Sequence, residues 1–265
     1  MSKAYSESFT SKAAVDSYYK KFTKKLHTIR HSIEVEIINK HAMGKLFDCS
    51  IGSGRFIEEL EGVESYSGMD YSKEFVDRIK EKYPNVSVKQ GDLLKGIDEI
   101  DQSFDTVICL RTMNNVADTI EKFMAVIEEL VRITKSGGLL IFDYGRSGGI
   151  RYTDVPDLLM CFLVEIETIY GMDRLMPKIS RNKRLKGFFN HKINIIPNSI
   201  WKLVDRSLFF FVKPERNLFI MRKHYVLIES PTKESVNREN IPPRELELSL
   251  PDMVRTLGLV PAGSS

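Results

Sequence analysis

The stretch that decides the fold is Asp48-Cys49-Ser50-Ile51-Gly52-Ser53-Gly54. It follows a short apolar run at residues 45–48 and precedes a helical pattern, which predicts a tight turn between a strand and a helix. Glycines in such a turn let the chain reverse and let a ligand approach the backbone. A dinucleotide-binding turn has a third glycine where this chain has Ile57, and a P-loop needs a lysine that this turn lacks. Asp48 would repel a pyrophosphate and suits a cationic ligand.

Short apolar runs alternate with helical patterns on both sides of this turn. Strands are predicted at residues 45–48, 66–69, 86–89, 104–110 and 139–144, and helices at 15–37, 55–60, 72–83 and 119–133. This alternation is typical of an α/β fold with a doubly wound, mainly parallel sheet. The predicted organisation is an N-terminal helix and ligand-binding core at 1–146, a mostly helical basic insertion at 147–215, and a strand and helix at 216–265 that complete the core.

Composition limits the class of protein. Hydrophobic residues make up 42% and charged residues 28% of the chain, as in globular proteins with a core. Residues 1–25 are polar and do not resemble a signal peptide, and no apolar run reaches the roughly 18 residues that a membrane span needs. The three cysteines form no Cys-x-x-Cys pair. A cytoplasmic location is therefore expected.

The charge of the chain is unevenly distributed. Residues 174–223 hold thirteen lysines and arginines against two acids, a local net charge of +11 in a chain whose total is +3. Four of these cations, Arg181, Lys183, Arg184 and Lys186, are clustered with aromatic residues near them in sequence. Clustered cations favour phosphate or carboxylate groups, and aromatic residues among them suit sugars, bases or an anionic membrane surface. The cluster is predicted to bind an anionic substrate.

Five segments together resemble the motifs of class I S-adenosylmethionine-dependent methyltransferases. They are Asp48–Gly54, Gly68-Met69-Asp70-Tyr71-Ser72, Gln90-Gly91-Asp92-Leu93, Phe104-Asp105-Thr106-Val107-Ile108 and the run from Arg132 to Ile141. Ser50 stands where the family usually has Gly or Ala, and Ile133, Thr134 and Ser136 also depart from its pattern. The resemblance covers about residues 40–145 and implies a seven-stranded type of sheet. That fold usually ends in an antiparallel hairpin, which here is either incomplete or supplied in part by residues 218–229.

The resemblance also implies the cofactor, S-adenosylmethionine, and the residues that bind it. They are Asp48, Ser50, Gly52, Gly54, Asp70, Tyr71, Asp92, Leu93 and Leu110. By analogy, Asp48 lies near the cofactor's ammonium and the glycines lie against its methionine part. Asp70 accepts from both ribose hydroxyls, Tyr71 packs on the adenine, and Asp92 accepts from the adenine amine.

Three residues are candidates for catalysis. His27 and His31 are four residues apart on the first predicted helix, so they share a face, and either could remove a proton from a hydroxyl. Arg111 follows the fourth predicted strand, which in this fold faces the substrate, and could bind an acidic group. Two histidines without a third ligand do not make a metal site, and none is expected.

These observations predict a methyltransferase of the small-molecule and glycan branch. Its expected reaction is O-methylation of a hydroxyl, carboxylate or phosphate on an acidic small molecule or lipid-linked glycan, with peripheral contact to an anionic membrane as an option. Residues 110–115 lack the Asn/Asp-Pro-Pro-aromatic motif that holds a flipped base, which disfavours nucleic acid. An RNA methyltransferase and a non-catalytic cofactor-binding module of a larger protein remain alternatives.

Overall fold

One seven-stranded sheet forms the centre of the structure. The computed structural model describes residues 9, 11–22, 25–146, 148–151, 153–172, 200, 203 and 213–224. Its strands are β1 (Gly44–Asp48), β2 (Val63–Asp70), β3 (Ser87–Gln90), β4 (Phe104–Cys109), β5 (Thr134–Gly145), β6 (Val164–Met172) and β7 (Arg216–Lys223). Their order is β3-β2-β1-β4-β5-β7-β6. Strands β1 to β5 pair in parallel and β7 is antiparallel to both neighbours, which confirms the mainly parallel α/β fold.

The helices include α1 (Lys12–Phe22), α2 (Lys25–Asn39), α3 (Lys73–Lys82), α4 (Met113–Val116), α5 (Ile120–Ile133) and α6 (Val155–Leu159). The side chains of Ser72 and Thr119 accept backbone N–H groups at the starts of α3 and α5. Such caps satisfy donors that have no partner within the helix. The predicted helices at 72–83 and 119–133 are therefore confirmed, whereas the single helix predicted at 15–37 is replaced by α1 and α2. Among the described residues, no helix combines the length and apolar character needed to cross a bilayer.

Helix α2 packs on the sheet through an apolar stripe. Ile29, Ile33 and Ile37 recur every four residues and are buried in one cluster with Leu46 of β1 and Ile108 of β4. Each such buried side chain contributes roughly 1.5–3 kcal/mol relative to exposure. The stripe therefore fixes α2 against the sheet, close to the ends of β1 and β4.

The strand order determines where a ligand can bind. Strands β2 and β3 lie on one side of β1, and β4 and β5 lie on the other, so the winding direction reverses at β1. In open parallel sheets, ligands bind outside the carboxyl ends of the strands at such a switch point. The loops after β1, β2, β3 and β4 meet at this edge.

The segment after β1 differs from its prediction. A helix was expected at 55–60, but residues 52–59 form successive turns. Their backbone bonds mostly join residues three apart, as in Ile57 N–H to Gly54 O and Glu59 N–H to Phe56 O. Bonds to the third residue back are typical of tight turns, so this segment does not form the regular α-helix that was expected.

The insertion also differs in part. Residues 164–172, expected to be helical, form strand β6, whose side chains alternate between half-buried and exposed positions as in a strand. Strand β6 pairs with β7, which lies within the segment 216–265 where a strand was predicted, and the two form an antiparallel pair at the sheet edge. The four clustered cations at 181–186 lie outside the described residues, and the boundaries at 146 and 215 stay predictions.

Candidate functional site

A cavity of about 290 Å³ lies along the carboxyl ends of β1 to β4. The ends of these strands and the loops after them contribute Cys49, Ser50, Gly52, Met69, Asp70, Tyr71, Ser72, Gly91, Leu93, Leu110, Arg111 and Thr112 to its wall. Helices α1 and α2 add Tyr18 and His27. Eight of the predicted site residues therefore line one cavity, namely His27, Ser50, Gly52, Asp70, Tyr71, Leu93, Leu110 and Arg111.

Asp70, the last residue of β2, is held by two backbone donors. Its Oδ2 accepts from Gly52 N–H at 2.8 Å and its Oδ1 from Ser72 N–H at 2.8 Å. Loss of solvent raises the pKa of Asp70 to about 6, although both hydrogen bonds oppose the rise. Each carboxylate oxygen has a second lone pair, so the group can also accept from two neighbouring hydroxyls of a sugar. Tyr71 follows at the rim and is 42% exposed.

The two glycines of the turn after β1 serve different needs. Both have left-handed backbones, with φ at +52° for Gly52 and +69° for Gly54. A Cβ on Gly52 would come no nearer than 3.8 Å to other atoms, so its side faces open space in the cavity wall. A Cβ on Gly54 would lie 2.5 Å from Ile79 Cδ1 and 2.7 Å from Ile57 Cδ1. Gly54 is therefore required by packing and does not line the cavity.

Two predicted acids lie behind the cavity wall. Asp48 is buried, and its carboxylate accepts from Tyr66 OH at 2.7 Å and from Ser50 N–H at 3.0 Å. Burial raises the pKa of Asp48, and these hydrogen bonds oppose the rise. The carboxylate of Asp92 accepts from Leu94 N–H at 3.1 Å, which caps a short 3₁₀ turn. Neither acid lines the cavity, so their predicted cofactor contacts gain no support from its geometry.

The candidate catalytic residues are separated. His27 and Arg111 line the cavity, whereas His31 lies in a second cavity on the other side of the glycine turn. There its Nδ1 lies 3.2 Å from Arg55 Nη1 and its Nε2 lies 2.8 Å from Glu59 Oε1. The geometry therefore favours His27 over His31 as the base.

Sequence reasoning missed a buried ion cluster that holds Arg111. The backbone N–H of Arg111 donates to Asp143 Oδ1 at 2.6 Å, and its Nη2 donates to Glu34 Oε1 at 2.9 Å. Arg216 closes a ring, because it donates to Asp143 and, at 2.6 Å, to Glu34. Arg55 donates to the other oxygen of Glu34 at 2.5 Å. One sequence feature could have indicated this cluster, because Glu34 places a carboxylate within the apolar stripe of α2.

This ring holds Arg111 in a rare backbone conformation. Arg111 has φ at +60°, a left-handed value that costs a non-glycine residue on the order of 1–3 kcal/mol. Residues with such strain concentrate at ligand-binding sites, where surrounding contacts maintain them. The bonds to Asp143 and Glu34 are contacts of this kind, and they hold Arg111 where it lines the cavity.

Aromatic side chains form another part of the wall. The rings of Phe9, Tyr18 and Phe75 lie 5.2–5.9 Å apart between centroids. The backbone oxygen of Phe9 accepts from Ser72 Oγ at 2.5 Å, which joins the N-terminal segment to the start of α3. An apolar wall beside the Asp70 carboxylate fits an adenosine group, which needs a flat contact surface and an acceptor for its sugar hydroxyls. These residues fit the cofactor that the sequence motifs imply.

Comparison with known proteins agrees with this geometry. Residues 47–142 match a family described as a methyltransferase domain. No significant match to a curated protein is found. An S-adenosylmethionine-dependent methyltransferase from Clostridium acetobutylicum has the same fold, with a TM-score of 0.54 at 11% identity over 79% of this chain and 99% of that one.

Two further solved structures share the fold. The N-methyltransferase NodS from Bradyrhizobium japonicum gives a TM-score of 0.50 at 12% identity, covering 74% of this chain and 95% of that one. A chain from the complex of the Haloferax volcanii Trm112 methyltransferase activator with a methyltransferase gives 0.55 at 14% identity, covering 80% and 97%. The domain match and the fold agree with the cofactor motifs, so this chain is a methyltransferase that uses S-adenosylmethionine.

Proposed function

We propose that the enzyme methylates an oxygen atom of an acidic small molecule or glycan. The observation that carries this proposal is the position of Arg111 and His27 in one cavity with Asp70. A cation and a base on the walls next to a cofactor site suit an acceptor with one anionic group and one hydroxyl.

The chemistry requires positioning more than covalent help. The cofactor supplies an activated methyl group on a good leaving group, so the protein must align the acceptor and exclude water. Arg111 would bind the anionic group of the acceptor, and His27 would take the proton of its hydroxyl. If the accepting oxygen belongs to a carboxylate or phosphate, it is already ionised and His27 would only orient it.

The predicted basic insertion at residues 147–215 supports the same class of acceptor. Its cluster Arg181, Lys183, Arg184 and Lys186 would attract an anion toward the cavity, and a lipid-linked glycan would add contact with an anionic membrane surface. We propose a cytoplasmic enzyme with, at most, peripheral membrane contact. The roles of these four cations and of the cofactor-binding residues belong to the proposal.

Labelled methyl transfer tests the proposal directly. The enzyme is incubated with S-adenosylmethionine labelled at its methyl group and with separate glycan, lipid, RNA and small-metabolite fractions. Label should enter an acidic small-molecule or glycan fraction that anion exchange retains, and Arg111→Gln should reduce the transfer. Label that is released only by ribonuclease would instead identify an RNA methyltransferase, and tight cofactor binding without transfer would identify a non-catalytic module.

A further inference from the structure

The buried cluster beside the cavity contains more positive than negative charge. Glu34 and Asp143 contribute two carboxylates, and Arg55, Arg111 and Arg216 contribute three guanidiniums in contact with them. The net charge of these five side chains is +1 with both carboxylates ionised. Without the charge of Glu34 it would be +2, and Arg111, which carries one of the positive charges, lines the cavity.

The pKa of Glu34 agrees with this account, whereas burial raises the pKa of Asp143. Burial alone would raise the pKa of Glu34, but the guanidiniums of Arg111, Arg55 and Arg216 outweigh it, so the pKa is well below its usual value and Glu34 is ionised. Burial lowers the pKa of Arg111, Glu34 opposes this, and the two other arginines add to the lowering. Glu34 is thus the main favourable charge near Arg111.

The strand order sets the cofactor's direction relative to this cluster. Asp70 ends β2 and Arg111 follows β4, with β1 between those strands. Two strand spacings separate them by roughly 10 Å. If Asp70 binds the ribose, as proposed above, the sulfur end of the cofactor extends along the sheet edge toward Arg111.

We propose that Glu34 is a positioning residue that neutralises the arginine cluster, so that a ligand with a positively charged sulfur can bind beside Arg111. Three guanidiniums next to a sulfonium are unfavourable at low dielectric, because like charges repel most strongly where water is excluded. Glu34 offsets one of these charges and also fixes the guanidinium of Arg111 through three hydrogen bonds. This inference rests on the proposed orientation of the cofactor and does not depend on the acceptor.

Two cofactor relatives separate this electrostatic role from a purely structural one. S-adenosylmethionine carries a sulfonium, whereas S-adenosylhomocysteine has the same skeleton with a neutral sulfur. Calorimetry gives the Kd of each ligand. The Kd of S-adenosylmethionine divided by the Kd of S-adenosylhomocysteine reports the charge near the sulfur. In Glu34→Gln this ratio should rise on the order of tenfold, because the variant binds S-adenosylmethionine more weakly than S-adenosylhomocysteine. This is the effect expected of one added positive charge at roughly 10 Å from the sulfur. A general loss of cavity shape would weaken both ligands and leave the ratio unchanged.

Further variants should shift the ratio of the two Kd values down or return it to the parent value. Arg55→Gln removes one cation that does not line the main cavity, so the ratio should fall below that of the parent. The double variant Glu34→Gln with Arg55→Gln restores the net charge and should return the ratio near the parent value. Glu34→Asp keeps the charge and should keep the ratio even if both affinities decrease. Glu36→Gln is the matched control, because Glu36 lies on the same helix and pairs with Lys40 toward solvent.

An unchanged ratio in a folded Glu34→Gln variant would overturn the proposal. If that variant does not fold, Arg55→Gln decides: a lowered ratio supports the proposal and an unchanged ratio overturns it. Binding of neither ligand by the parent would reject the cofactor site and this inference with it. A failed search for an acceptor leaves these results unaffected.

Discussion

The carboxylate of Asp70 accepts the backbone N–H of Gly52 at 2.8 Å and so joins the end of β2 to the turn after β1. The acid and the turn therefore form one unit, and neither can move far without the other. This unit holds in the cavity wall a carboxylate whose pKa is raised to about 6 by burial.

Cofactor affinity should depend on pH through Asp70. Its pKa in the free protein is about 6. Sugar hydroxyls that donate to the carboxylate favour its ionised form, so its pKa must be lower in the complex. The affinity for S-adenosylhomocysteine should therefore be constant well above pH 6 and fall, by up to about tenfold per pH unit, below it. Calorimetric titrations between about pH 5 and 8 measure this. Asp70→Asn should flatten the profile, and a flat profile in the parent would exclude this role.

The two glycines of the turn should differ in their effects on stability. Gly54→Ala would place a methyl group against Ile79 and Ile57 and should cost about 1–3 kcal/mol by overpacking in addition to backbone strain. Gly52→Ala meets no close atom and should cost only the backbone term, about 1–3 kcal/mol. Denaturant unfolding of both variants gives the comparison. Equal losses of stability would contradict the distinction.

His27 and His31 form a matched pair for testing general base catalysis. They lie on the same helix, but only His27 lines the main cavity. For a hydroxyl acceptor, His27→Gln should lower the rate of methyl transfer about 10²–10⁴-fold, whereas His31→Gln should leave it close to that of the parent. The rate is measured by label transfer at saturating cofactor. Similar losses in both variants would point to a general effect on α2.

The basic cluster should act on the acceptor and not on the cofactor. Replacing Arg181, Lys183, Arg184 and Lys186 together by Gln should raise the acceptor KM and flatten its dependence on salt, because salt screens the attraction that these cations supply. Cofactor affinity should hardly change. A quadruple variant with the parent's KM at low and at high salt would show that the cluster is only a solvated surface.

The sequence was sufficient for the centre of the fold because local patterns determine it. The turn at Asp48–Gly54, the cap at Ser72 and the periodicity of α5 are signals contained in a few neighbouring residues. Strand β6 was missed although its side chains alternate between half-buried and exposed positions, because its pairing with β7 joins segments far apart in the chain. Turns form at 52–59 in place of a helix, and their backbone N–H groups bond mostly to the carbonyl three residues back, which no local pattern in the sequence predicted.

The residues of the candidate site also divide into those that local sequence predicts and those that depend on distant parts of the chain. Asp70, Tyr71 and Leu110 were predictable because each lies next to a strand end, where parallel strands bring their loops together. Glu34 and Asp143 were not, since their role depends on arginines that are distant in sequence. Similarly, the hydrogen bonds that direct Asp48 toward Tyr66 and Asp92 toward Leu94 depend on side-chain orientation, which spacing does not specify.

Titration of S-adenosylhomocysteine into the parent and into Asp70→Ala tests most directly that this cavity binds the cofactor. The parent should bind about one ligand per chain, and Asp70→Ala should lose about 1.5–3 kcal/mol of binding free energy with its charged acceptor. Asp77→Ala is the control, because Asp77 lies on α3 and pairs with Lys73 at the surface. Unchanged affinity in a folded Asp70→Ala variant would show that the cofactor does not bind in this cavity.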